Sequence, residues 1–81
     1  MNKKLKTIFA DEIRRIKKLR GNEKIRARED LNERVDIYMI AEDFAEDYPK
    51  IYTQEKLNKI VNARNSIEAS NIMTSLRRAI P

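Results

Sequence analysis

Cysteine, histidine and tryptophan are all missing from this 81-residue chain, which also holds one glycine and two prolines. Without cysteine there is neither a disulfide framework nor a thiolate metal site. Without histidine, Ser-His-Asp and Cys-His chemistry and the ordinary zinc and non-haem iron sites are excluded together. No cofactor and no metal are therefore expected, and no enzyme activity. A single glycine leaves little material for hairpins. No apolar run approaches the ~18–20 residues needed to cross a bilayer. The basic N-terminus MNKKLKTIFADEIRR is interrupted by Asp11 and Glu12 where a signal peptide needs its apolar core. The expected location is the cytoplasm.

What is present favours helices. Hydrophobic residues make up 41% and charged residues 38%, and Lys, Arg, Glu, Ile and Leu are plentiful. A chain this short builds one core, so residues 1–81 form a single domain. The fold class read from the pattern is all-α, a compact bundle of three or four helices. The first spans about residues 4–20, where Leu5, Ile8, Phe9, Ile13, Ile16 and Leu19 line one face. Gly21 follows as a left-handed helix terminator, and Asn22-Glu23 suits a new start. The second spans about 23–48, either unbroken or divided near Asp36, and Pro49 stops it. Its stripe is Ala27, Leu31, Val35, Tyr38, Ala41, Ala45 and Tyr48, widened by Ile37 and Phe44. The third spans about 53–80 from an N-cap at Thr53. Its apolar phase slips across residues 62–66, where Asn65 and Glu68 have capping-box spacing, so it is one kinked helix or two short ones. Two short helices would also suit a helix-turn-helix, but the turn lacks the usual glycine, and a kinked core helix fits better.

Charge is unevenly spread. Residues 1–28 balance to +8, residues 29–48 to −7 and residues 49–81 to +4, giving the net +5. Arg14, Arg15, Lys17 and Lys18, with Arg77 and Arg78, are the candidates for nucleic-acid contact, because lysine and arginine displace condensed counterions from phosphates. No aromatic residues interleave with them, which argues against base stacking. A solvated face of an amphipathic helix gives the same pattern.

Glu42, Asp43, Glu46 and Asp47 form an acidic cluster. Glu42 with Glu46, and Asp43 with Asp47, are i,i+4 like-charge pairs near a helix C-terminus, where pairing and macrodipole both oppose them. Carboxylates on a helix face without loop carbonyls do not resemble a calcium site. Two explanations stand: internal counter-charge for the basic helices, or a contact for a basic partner protein. Tyr38 joins the candidate partner-binding residues, because the apolar content of residues 35–48 exceeds what one helix needs and a homodimer could bury it.

Residues 33–64 resemble the central part of the theta accessory subunit of bacterial DNA polymerase III. The shared pattern is Glu33-Arg34, five residues, Ile40-Ala41-Glu42, six residues, Pro49, fourteen residues and Arg64, without a gap. The resemblance implies a small, basic, all-helical, non-catalytic subunit that binds a proofreading exonuclease. It leaves out the first helix and Gly21, and theta has a proline where Tyr38 stands here, so no functional residues carry over.

Taken from the residues themselves, the expected function is non-enzymatic. The chain acts by binding a macromolecule, a protein first, as a small accessory or inhibitory subunit. A DNA- or RNA-binding regulator is the alternative. The composition would suit a phage, plasmid or low-GC bacterial origin.

Overall fold

The computed structural model describes residues 1–81 and contains five helices and no strand: α1 (Lys3–Ile8), α2 (Ala10–Lys17), α3 (Gly21–Asp47), α4 (Gln54–Val61) and α5 (Ser66–Arg78). α1 and α2 run back along α3, as cross-helix contacts from Lys4–Glu42 and Phe9–Tyr38 to Glu12–Arg34 show. α4 and α5 pack on each other and on α3. Fourteen buried residues form one core drawn from every helix.

The expected first helix is divided and shorter than its periodicity suggests. At Phe9 the backbone leaves helical geometry (φ −100°, ψ 22°), although its N–H still reaches the Leu5 carbonyl at 3.0 Å. The distortion falls where the Phe9 ring, 1% exposed, meets Tyr38 edge-on at 5.8 Å. The helix then ends at Lys17, and Leu19 closes a tighter turn on the Ile16 carbonyl at 3.0 Å. Gly21 does take a left-handed conformation, with φ +61°. It stands at the entrance to α3, after an extended Arg20, instead of directly closing the first helix.

α3 is unbroken over 27 residues, so Asp36 caps nothing. At ~1.5 Å per residue it is about 40 Å long, and it sets the 44 Å long axis of the molecule. Pro49 ends it as expected, with Tyr48 displaced to φ −129°, ψ 60°. The inner stripe Leu31, Val35, Tyr38 and Ala41 is buried, and Ala27, Ile37, Phe44, Ala45 and Tyr48 pack against the core.

Residues 53–80 are two helices, not one kinked helix. Thr53 and Asn65 are the N-caps, their side chains accepting from the Lys56 N–H at 3.3 Å and the Glu68 N–H at 2.9 Å. The start of α5 is fixed from a distance as well, since the Ser66 N–H donates to Asp30 Oδ1 on α3 at 2.8 Å. The break lets each short helix turn its own apolar face inward: Leu57 and Ile60 from α4, Ala69, Met73 and Leu76 from α5.

Candidate functional site

The first notable group is internal. Arg34 is 1% exposed, a rare position for a cation, and three elements converge on its guanidinium. Nη2 donates to Glu12 Oε2 of α2 at 3.0 Å, and Nη1 donates to the Ala63 carbonyl in the α4–α5 turn at 2.8 Å. Nε lies 3.0 Å from Asp30 Oδ2, close enough for charge pairing, though its N–H has no directed acceptor. Burial alone would raise the Glu12 carboxyl, but Arg15 and Arg34 outweigh it and hold the group below the usual carboxylate range. Nothing in the sequence marks Arg34, because a lone arginine among acids reads as a surface ion pair. Its neighbours are two carboxylates and a backbone carbonyl, which together tie α2, α3 and the α4–α5 turn to one side chain.

The acidic cluster separates into two roles. Glu42 is half-buried and paired: it accepts from Lys4 Nζ at 2.7 Å and from the Tyr38 hydroxyl at 3.2 Å. The Glu42 hydrogen bond and charge push the Lys4 amine up. Tyr38 itself is buried, and desolvation with the Glu42 charge raises its phenol. Its ring is therefore core, packed on Phe9, and offers no surface to a partner. Substituting it would test folding, not dimerisation. Asp43, Glu46 and Asp47 differ. All three are exposed, none takes part in an ion pair, and the last turn of α3 contains no basic residue. On the same outer side of α3, Met39 and Ile40 are 45% and 49% exposed. No group of three His, Cys, Asp or Glu side chains is arranged to hold a metal ion.

The basic candidates are dispersed. Arg14 pairs with Asp11 within α2, and Arg15 with Glu12 at 2.9 Å. Arg77 acts at the far end of the molecule. There burial raises the Tyr52 phenol and the Arg77 charge partly opposes it, while the Tyr52 ring stacks on Phe44 at 5.5 Å. Arg78 ends α5 beside it, and Lys18 is exposed beyond α2. Arg14 and Lys17, however, share a groove of about 760 Å³ with Lys6, Lys24 and Arg28, which the sequence did not single out. The groove runs between α1–α2 and the N-terminal half of α3, and no acidic residue lines it. Its floor holds Ala10, Ile13, Ile16 and Leu31. Helical periodicity places Lys6, Ala10, Ile13, Arg14 and Lys17 on one side of the first two helices. The opposite wall depends on how α3 docks, which the sequence does not show.

The two-helix unit of α4 and α5 does not place cations where a recognition helix needs them. The N-terminal residues of such a helix approach the bases. Here the first turns present exposed Ile67 and Asn71, and Glu68 binds Arg64 at 3.1 Å. Arg77 and Arg78 lie at the other end of α5. No helix is long and apolar enough to cross a membrane.

No family model, curated protein or solved structure matches the chain. Of the seven residues in the pattern shared with theta, Arg34 is the buried hub, Ala41 is 0% exposed and Pro49 terminates α3, whereas Glu33, Ile40 and Arg64 are exposed.

Proposed function

We propose that this protein is a small cytoplasmic binding subunit without catalytic activity, and that it docks a basic surface of another protein on the C-terminal end of α3. One observation carries this: Asp43, Glu46 and Asp47 are exposed and unpaired beside exposed Met39 and Ile40. If the acid served as internal counter-charge, all four carboxylates would have cations against them. Only Glu42 does. An apolar centre with a rim of one sign is the usual make-up of a steered protein interface.

The test is affinity capture from the native host with wild type and with the triple variant Asp43→Lys, Glu46→Lys, Asp47→Lys. Glu42 is left intact because Lys4 and Tyr38 depend on it. A captured protein that is lost in a folded variant supports the docking face. The same protein captured equally by both removes it.

A nucleic-acid regulator is the second reading, favoured by the cations gathered around the α2–α3 groove. Binding of that kind should weaken steeply with salt, with a slope set by the number of phosphates neutralised. Absence of any shift with duplex or single strand at low salt eliminates it.

A further inference from the structure

We infer that the groove between α1–α2 and the N-terminal half of α3 is a second docking site, and that its occupant is an acidic amphipathic helix of about three turns from a partner protein. It is independent of the acidic end of α3. From Arg28 to Asp43 is about 22 Å along the helix at ~1.5 Å per residue, so the two surfaces do not overlap.

The groove exists because of how the helices are covered. The α4–α5 turn closes one side of the α2·α3 pair, where Ala63 accepts from Arg34. The other side has no covering element. There Ile16 and Leu31 lie at the bottom, with Ala10 and Ile13 only half-covered above them. Lys6, Arg14 and Lys17 stand on one rim, Lys24 and Arg28 on the other, and among them only Arg14 has an ionic partner. Four cations held together without a carboxylate repel one another, and an anionic occupant relieves that repulsion.

The shape of this chemistry decides among occupants. A phosphate backbone needs the cations but has no use for an aliphatic floor, and no aromatic ring lines the groove for stacking. A helix with an apolar stripe flanked by acids on both sides satisfies the floor and both rims together. The run from Lys6 to Lys17 is about 16 Å at ~1.5 Å per residue, which matches three helical turns.

The probe is a fluorescein-labelled 15-residue peptide with leucines at i, i+3, i+4, i+7 and i+11 and glutamates flanking them. Its binding to the full-length protein is followed by fluorescence anisotropy at low salt. Two companions are measured beside it: a peptide of the same composition with the leucine spacing scrambled, and a duplex oligonucleotide. The amphipathic peptide should bind at least about tenfold tighter than the scrambled one, a difference of the size expected when an apolar stripe is buried. Lys17→Glu with Lys24→Glu, one change on each rim that leaves the floor intact, should weaken it by a further tenfold or more. Circular dichroism of the double variant confirms its fold, and Lys17→Gln with Lys24→Gln, which adds no like-charge clash, should fall between it and wild type. Equal binding of the two peptides, tighter binding of the duplex, or no binding of the peptide would each overturn the proposal. So would self-association in sedimentation that the double variant abolishes, since the occupant would then be a second copy of the chain.

Discussion

Arg34 Nη2 donates to Glu12 Oε2 across the α2–α3 contact at 3.0 Å, and the same guanidinium reaches the Ala63 carbonyl at 2.8 Å. One side chain thus holds the first helical layer to the corner of the second. Its removal empties space and strips a buried carbonyl of its donor. Arg34→Ala should therefore cost about 3 kcal/mol or more of unfolding free energy. Arg34→Met, which refills most of the volume, should recover part of that. Urea denaturation of both variants measures the split, and equal losses would assign the cost to the hydrogen bonds alone.

The same pair makes stability depend on pH in the acid range. Glu12 is held lower in the folded chain than in the unfolded one. The unfolded chain therefore takes up this proton first as pH falls. Its contribution is complete above the ordinary glutamate value of about 4.3 and is lost as pH drops through the lower folded value. Urea midpoints between pH 6 and pH 3 should fall less steeply for Glu12→Gln than for wild type. Parallel profiles would show that the pair is not linked to protonation.

The acidic end of α3 predicts a gain. Asp43 and Asp47 repel at i,i+4 spacing, and all three free carboxylates oppose the helix dipole. Changing Asp43, Glu46 and Asp47 to lysine reverses the dipole term, so the variant should be more stable by about 1 kcal/mol. A higher thermal midpoint with lost partner capture would separate the cost of these residues from their use. A clearly lower midpoint would mean that they support the fold after all.

Tyr52 carries a second internal tension. It is 2% exposed and its hydroxyl has no hydrogen-bond partner. Tyr52→Phe keeps the ring against Phe44 and removes the stranded group. It should be neutral or stabilising by up to about 1 kcal/mol, the lower end of the desolvation penalty. A loss of more than that in thermal unfolding would mean that the hydroxyl holds a bound water or another partner.

What could be read from the sequence, and what could not, follows from how local each cause is. Pro49, Thr53 and Asn65 act on their own backbones, so the end of α3 and the starts of α4 and α5 were legible. The inner stripe of α3 was legible because 3.6-residue spacing survives into packing. The division at Phe9 was not, since it coincides with a contact to Tyr38 that lies 29 residues on. Tyr38 was misplaced on the surface for the same reason: it was grouped with the apolar content of residues 35–48, yet Phe9 packs on its ring, while Met39 and Ile40 of the same stretch stay exposed. The acidic cluster was visible as composition. That Glu42 alone is neutralised required the position of Lys4. Arg34 gave no sign, because burial of a cation depends on three distant partners arriving together.

The bond from Ser66 N–H to Asp30 Oδ1 spans 36 positions and has a consequence for the way the chain becomes ordered. The carboxylate that receives it also faces Arg34, whose other bonds require α2 and the α4–α5 corner. A fragment ending before residue 62 would leave Arg34 with a vacant donor, and one starting after residue 50 would lose the acceptor for its last helix. Neither half can therefore complete its hydrogen bonding alone. Ordering of the α4–α5 corner is thus coupled to that of α2 and α3 through Arg34 and Asp30.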